Sequence, residues 1–162
     1  MKEKVKSLIE KNPKISLGEI GKELDLKEME VLLNLPCEFC KVAGGDKFDE
    51  IIGEIGGWGE VLFVKNTPSF IIEFKTKIPS GQHAQGYYNF SMKESNFGGH
   101  LKASDIDKIF FVTQTFMGML SKSVQFYDKN GENIFKLYIA RDEKRNLLEC
   151  QERAFEDLKA KF

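Results

Sequence analysis

The sequence predicts an α+β fold: helices first, a large mainly antiparallel sheet in the middle and one closing helix. Three observations carry this. Apolar residues recur at helical spacing through residues 1–36, the period falls to two between Val61 and Ile139, and helical spacing returns from about Asp142. At 162 residues, with 41% apolar and 30% charged side chains, the balance is globular and the length suits one domain. That domain, 1–162, divides into a helical N-terminal subregion, 1–36, and a sheet-plus-helix region, 45–162.

Val5, Leu8 and Ile9 fall on one face of a first helix, which Asn12-Pro13 ends. Ser16-Leu17-Gly18-Glu19 is a capping box that opens a second, with Leu17, Ile20 and Leu24 on one face. Asp25 with Glu28 is expected to cap a third, carrying Met29, Leu32 and Leu33 until Pro36 stops it. The unit resembles a helix-turn-helix. Its would-be recognition helix, residues 26–34, nevertheless sets Lys27 against Glu28 and Glu30, which suits packing or dimer support better than a DNA groove. A fourth helix is expected from Gly44-Gly45-Asp46, with Phe48, Ile51, Ile52 and Ile55 in one stripe and Gly56-Gly57 at its end.

After Trp58, segments 61–64 and 70–75 read as a hairpin turned at Asn66-Thr67-Pro68. Further strands are expected at 87–92, 109–114, 123–127 and 134–139, with Asn130-Gly131 as a tight turn between the last two. Leu147, Leu148, Gln151, Ala154, Phe155 and Leu158 mark the closing helix. One helix cannot cover both faces of a sheet of about six strands. The uncovered face is expected to meet a ligand or a partner subunit.

Charge and motifs exclude several classes. With 24 basic and 25 acidic side chains no global field draws the chain to a polyanion, and only Arg141, Arg145 and Arg153 are arginine, so no nucleic-acid partner is expected. No apolar run approaches a bilayer span and Met1-Lys2-Glu3-Lys4 opens no signal peptide, which points to a cytoplasmic protein without a membrane partner. Three cysteines agree with a reducing compartment, and Cys37-Glu38-Phe39-Cys40 lacks the second pair that a zinc site needs. No Gly-x-Ser-x-Gly, His-Glu-x-x-His or Walker loop supports hydrolytic or transfer chemistry, so no catalytic residue is assigned.

What is distinctive lies in segments 80–90 and 98–102, which hold both histidines, His83 and His100, and two of the four tyrosines, Tyr87 and Tyr88. Phenol and imidazole can both carry a lone pair to a metal, and the flanking glycines admit a flat ligand. Strand alternation puts Tyr87 and Asn89 on one side and Tyr88 and Phe90 on the other. His100 and Lys102 share a side in the same way, so an imidazole and an ammonium could meet a metal centre and a carboxylate of one ligand. Met117, in Phe116-Met117-Gly118-Met119, adds soft apolar surface.

Gly45-Asp46-Lys47-Phe48-Asp49, Trp58-Gly59, Ile72-Glu73-Phe74, Ile78-Pro79-Ser80-Gly81, Gly86-Tyr87-Tyr88-Asn89-Phe90, Gly99-His100-Leu101-Lys102-Ala103, Phe116-Met117-Gly118-Met119 and Arg141-Asp142 stand in one order. In that order they resemble the HutX/ChuX-type cytosolic haem utilisation carriers. The resemblance implies a fold related to one half of the HemS-type proteins, a homodimer, and a b-type haem bound non-covalently as cargo. It further implies receipt of haem from a transporter and delivery to a degrading enzyme. Tyr87 is the first choice for the iron ligand and His100 the second, with Lys102 as a propionate partner. Gln85 and Asn66 stand where some relatives carry histidine. A haem-modifying or haem-degrading enzyme and a DNA-binding regulator are the alternative readings.

Overall fold

The structure, a computed structural model, describes every residue except Met117 and gives no account of the Phe116 side chain. Three helices come first, α1 (Lys2–Lys11), α2 (Leu17–Leu24) and α3 (Glu28–Asn34), followed by β1 (Cys40–Gly44) and α4 (Phe48–Gly56). Then come β2 (Glu60–Asn66), β3 (Ile71–Lys77), β4 (Gly81–Ala84), β5 (Tyr87–Phe90), β6 (Gly99–Leu101), β7 (Ile106–Phe116), β8 (Met119–Asp128) and β9 (Asn133–Tyr138), and finally α5 (Glu149–Lys159). Among the described residues no helix is long and apolar enough to cross a membrane.

The capping box forms as expected: the Ser16 N–H donates to Glu19 at 2.8 Å and the Glu19 N–H to the Ser16 hydroxyl at 3.2 Å. Asp25 does not cap α3. Its φ of 53° closes α2 instead, the Leu26 N–H reaching the Gly21 carbonyl at 2.8 Å. At the start of α3 the Lys27 N–H donates to the Glu30 carboxylate at 2.8 Å. The closing helix begins later than expected, because the Asp142 carboxylate accepts from the N–H of Lys144 at 2.8 Å and of Asn146 at 3.0 Å. Those bonds hold the chain in a turn that the helical period does not register.

The main sheet has six strands in the order β1-β7-β8-β9-β2-β3, antiparallel throughout, and a separate sheet has the order β4-β5-β6. Pro79, with no N–H to donate, stands between the two. β1, β4 and β6 are absent from the expected strands, being three to five residues long and too short for a period to show.

Alternation along the central strands divides two cores. On one face Ile109, Phe111, Val124, Phe126, Phe135 and Leu137 pack against Phe48, Ile51 and Ile55 of α4, Phe155 and Leu158 of α5, and Tyr88 and Phe90 of the small sheet. Each large side chain so buried contributes about 1.5–3 kcal/mol, so this layer is the main anchor of the fold. On the opposite face Phe110, Val112 and Tyr127 meet Val5, Ile20, Val31 and Leu32 of the N-terminal helices. Several polar groups there pair internally: the Tyr127 hydroxyl donates to Gln125 at 2.9 Å, Gln125 donates to Ser123 at 3.0 Å, and buried Lys136 pairs with Glu28 of α3. The expectation of a bare sheet face is therefore corrected over the central strands, while at the β3 edge Ile71 and Phe74 stay exposed. The helix-turn-helix-like unit and the small sheet supply the cover that α5 alone lacks.

Candidate functional site

The site grows from one tight turn. Ala84 pairs with Tyr87, and the two residues between them, Gln85 and Gly86, both take positive φ, 54° and 81°. That is the type I′ geometry whose twist matches antiparallel strands. Asn89 reinforces it, its side-chain amide nitrogen lying 3.2 Å from the Gln82 and Ala84 carbonyls and 3.1 Å from that of Tyr87. With the amide so turned, its oxygen faces Nδ1 of His100. Nδ1 must then carry the proton, which leaves Nε2 with its lone pair.

Alternation in this small sheet sorts the candidates. Tyr88, opposite His83, points inward at 8% exposure, edge-on to Phe48 and Phe90. Burial, and then the Asp49 charge, push its phenol above the ordinary range, so it stays a neutral core side chain rather than a phenolate. Tyr87 points outward at 44% exposure, its ring centroid 6.3 Å from that of His100 on β6. Lys102, just past β6, pairs with Asp105 at 3.5 Å and is exposed. Met117 lies outside the described residues.

A cleft of about 440 Å³ opens where the turn faces the start of α4, lined by Gly45, Asp46, Phe48, Asp49, His83, Ala84, Gly86, Tyr87, Ala103 and Ser104. Its size falls in the range of small-molecule sites. Gly45 sets one wall: a Cβ there would stand 1.9 Å from the Ile106 carbonyl oxygen, so only glycine lets this turn lie against β7. Beyond Gly86 there is open space. His83 Nε2 lies 2.9 Å from both carboxylate oxygens of Asp49, in the first turn of α4. It therefore donates to that carboxylate, and in the neutral imidazole the lone pair is the one on Nδ1.

The structure thus gathers Tyr87 and His83 at one cleft and places His100 beside Tyr87 on the outer face of the small sheet. Lys102 stands apart on the chain leaving β6, and Tyr88 is core. Asp49 and Asn89, which orient the two imidazoles, carried no assigned role in the sequence, although both lie in motifs singled out there. The buried Cys40 and exposed Cys37 join no cluster of three or more His, Cys, Asp or Glu side chains among the described residues.

Comparison with known proteins was decisive for the family. Residues 41–158 match the family model described as haem utilisation ChuX/HutX. This chain belongs to that family. The intracellular heme transport protein HutX of Vibrio cholerae is 32% identical to this ChuX/HutX member over 148 residues, 91% of this chain and 77% of HutX. Among solved structures, a protein of Erwinia carotovora superposes with TM-score 0.90 at 36% identity over 97% of both chains. The heme binding protein ChuX does so with TM-score 0.87 at 32% identity, again over 97% of both. A likeness of fold alone extends to the heme degrading enzyme ChuS of Escherichia coli O157:H7, with TM-score 0.71 at 13% identity over 85% of this chain and 41% of that one.

Proposed function

We propose that this chain is an intracellular haem carrier: it binds a b-type haem non-covalently as cargo, without altering it, and hands it on. The observation that carries the reading is a cleft lined by both Tyr87 and His83, with the exposed Tyr87 ring beside that of His100 on the outer face of the small sheet, in a member of the ChuX/HutX family. The residues fit the cargo. Phenol and imidazole are both ligands for ferric iron, Ala84 and Ala103 supply apolar contact for a macrocycle, and Gly86 leaves the turn low where a flat ring would pass.

Tyr87 is the ligand we assign, with His100 as the second choice. A tyrosinate favours the ferric state and loosens on reduction or protonation, which suits a protein that must release what it binds. Lys102 is the ammonium assigned to a propionate. The whole chain, 1–162, acts as one carrier domain, in the cytoplasm and as a homodimer, taking haem from a transporter and delivering it to a degrading enzyme in iron acquisition.

Haemin titration followed at the Soret band tests the reading. A saturable change that Tyr87→Phe weakens at least tenfold and shifts spectrally is expected, while Tyr88→Phe leaves the spectrum unchanged. If Tyr87→Phe alters neither spectrum nor affinity and His100→Ala abolishes both, histidine is the ligand. Aerobic incubation of the loaded protein with a reductant separates carriage from catalysis: catalytic loss of porphyrin absorbance with a defined product overturns the carrier. Sedimentation should find two chains per particle, and a monomer across micromolar concentrations would remove the dimer.

A further inference from the structure

The chain has only three arginines, and two of them line one cavity. This second cleft, of about 370 Å³, is bounded by Met119 and Leu120 at the start of β8, by Arg141, Arg145, Asn146 and Leu147 of the turn before α5, and by Glu152. It lies far from the Tyr87 cleft. Gly45 and Ser104 of that cleft sit beside the start of β7, whereas Met119 pairs with the last residue of β7. Ten residue steps of strand separate the two ends, on the order of 30 Å.

The charges in the second cleft are uncommitted. Arg153 pairs with Glu149 at 3.0 Å, but among the described residues neither Arg141 nor Arg145 has a carboxylate partner. Arg141 donates to the Leu120 and Arg145 carbonyls, the latter at 3.1 Å, which aims the guanidinium across the mouth and leaves three of its five N–H groups. The one acid in the wall, Glu152, is held by Lys122 at 3.3 Å, and Lys122 also holds Glu156 at 2.8 Å. The carboxylate that would oppose an anion is thus already engaged. Leu120, 44% exposed, with Met119 and Leu147, supplies the apolar part of the lining.

We infer that this cleft binds an organic carboxylate with a compact apolar body, the carboxylate on Arg141 and Arg145 and the body on Met119, Leu120 and Leu147. Planar guanidinium forks match a carboxylate in two parallel bonds, and an unpaired arginine pair over apolar surface favours such an amphiphile over a bare inorganic anion. Two sources share this chemistry, a short fatty carboxylate and the propionate edge of a second porphyrin. Arg145 is the better probe residue, since its side chain makes no hydrogen bond or ion pair among the described residues, whereas Arg141 also braces the turn.

The test is titration of the full-length protein with sodium octanoate, and separately with metal-free mesoporphyrin, followed by backbone amide NMR. The expected result is saturable shifts at residues 119–122 and 141–147 with one or both probes, at least tenfold weaker in Arg145→Gln and lost in Arg145→Glu, while haemin affinity at the Tyr87 cleft is unchanged. Octanoate alone would name the fatty source, and mesoporphyrin alone the tetrapyrrole. Shifts confined to the Tyr87 cleft with both probes, binding indifferent to both Arg145 variants, or equal binding of neutral 1-octanol would overturn the inference. Because the haemin titration is read separately, failure here leaves the carrier reading standing.

Discussion

The side-chain oxygen of Asn89 accepts from Nδ1 of His100, while the Asn89 amide nitrogen faces three backbone carbonyls across the turn that carries Tyr87. One amide therefore fixes both the turn and the histidine tautomer. We expect long-range proton–nitrogen NMR to find neutral His100 protonated at Nδ1 in the parent chain and as a mixture of tautomers in Asn89→Ala. Loss of the bonds to the turn should cost about 1 kcal/mol, because the freed carbonyls can meet water. A parent His100 protonated at Nε2 would contradict this geometry.

Lys136 has 7% of its side chain exposed and ends on the Glu28 carboxylate, which joins α3 to the sheet. Removing the acid alone leaves a buried ammonium without a counter-charge, so Glu28→Gln should destabilise by about 3–5 kcal/mol in urea unfolding. Lys136→Met should cost less, since Glu28 can turn to solvent, and the double variant Glu28→Leu with Lys136→Met should recover most of the loss. Equal costs for the two single changes, with no recovery in the double, would mean that the pair does not act as a unit.

The sequence made the long elements legible because burial on one face imposes a period. Ile51 and Ile55 fell on one stripe of the expected fourth helix, and Phe110, Phe111 and Phe126 fell within the expected strands, although the apolar run 109–112 shows no alternation that would assign their faces. What stayed hidden depends on partners distant in the chain. β4 and β6 exist only as neighbours of β5, and the Asp142 turn that delays α5 is the effect of one side chain on two backbone N–H groups. At the site, alternation separated Tyr87 from Tyr88 correctly. The meeting of His83 with Asp49, 34 residues apart, needed the fold. The second arginine cleft was likewise invisible, since Arg141 and Leu120 approach only across the sheet end.

Glu94, in the loop between β5 and β6, accepts from the hydroxyl and the N–H of Ser80, the latter at 3.1 Å. Those two bonds favour the ionised form and hold its carboxyl below the usual range. A carboxylate depressed on folding contributes stability that is complete above its unfolded value, about 4.3, and is lost as pH falls through the lower folded value. The tether should therefore be unchanged from pH 7 to 5 and released in more acid solution. An NMR titration of the Ser80 amide should show a midpoint below 4.3, and Glu94→Gln should abolish the step. A midpoint at or above that value would mean the tether is absent in solution.

Cys37 and Cys150 are exposed, whereas Cys40 is buried among Val5, Leu35 and Val112 at the start of β1. Burial pushes its thiol up to about 12, against an ordinary value near 8.5, and the distant charge of Lys159 only partly offsets this. Thiolate, not thiol, is the nucleophile, so at pH 8 the Cys40 sulfur is almost wholly unreactive as well as shielded. A thiol-disulfide reagent should titrate two groups per native chain within minutes and the third only after unfolding, and Cys40→Ala should leave the native count at two. Oxidation of the Cys37–Cys40 pair should therefore be slow while β1 stays packed. Rapid reaction of all three thiols in the folded protein, or a native oxidised form joining Cys37 to Cys40, would show that β1 opens far more readily than its packing implies.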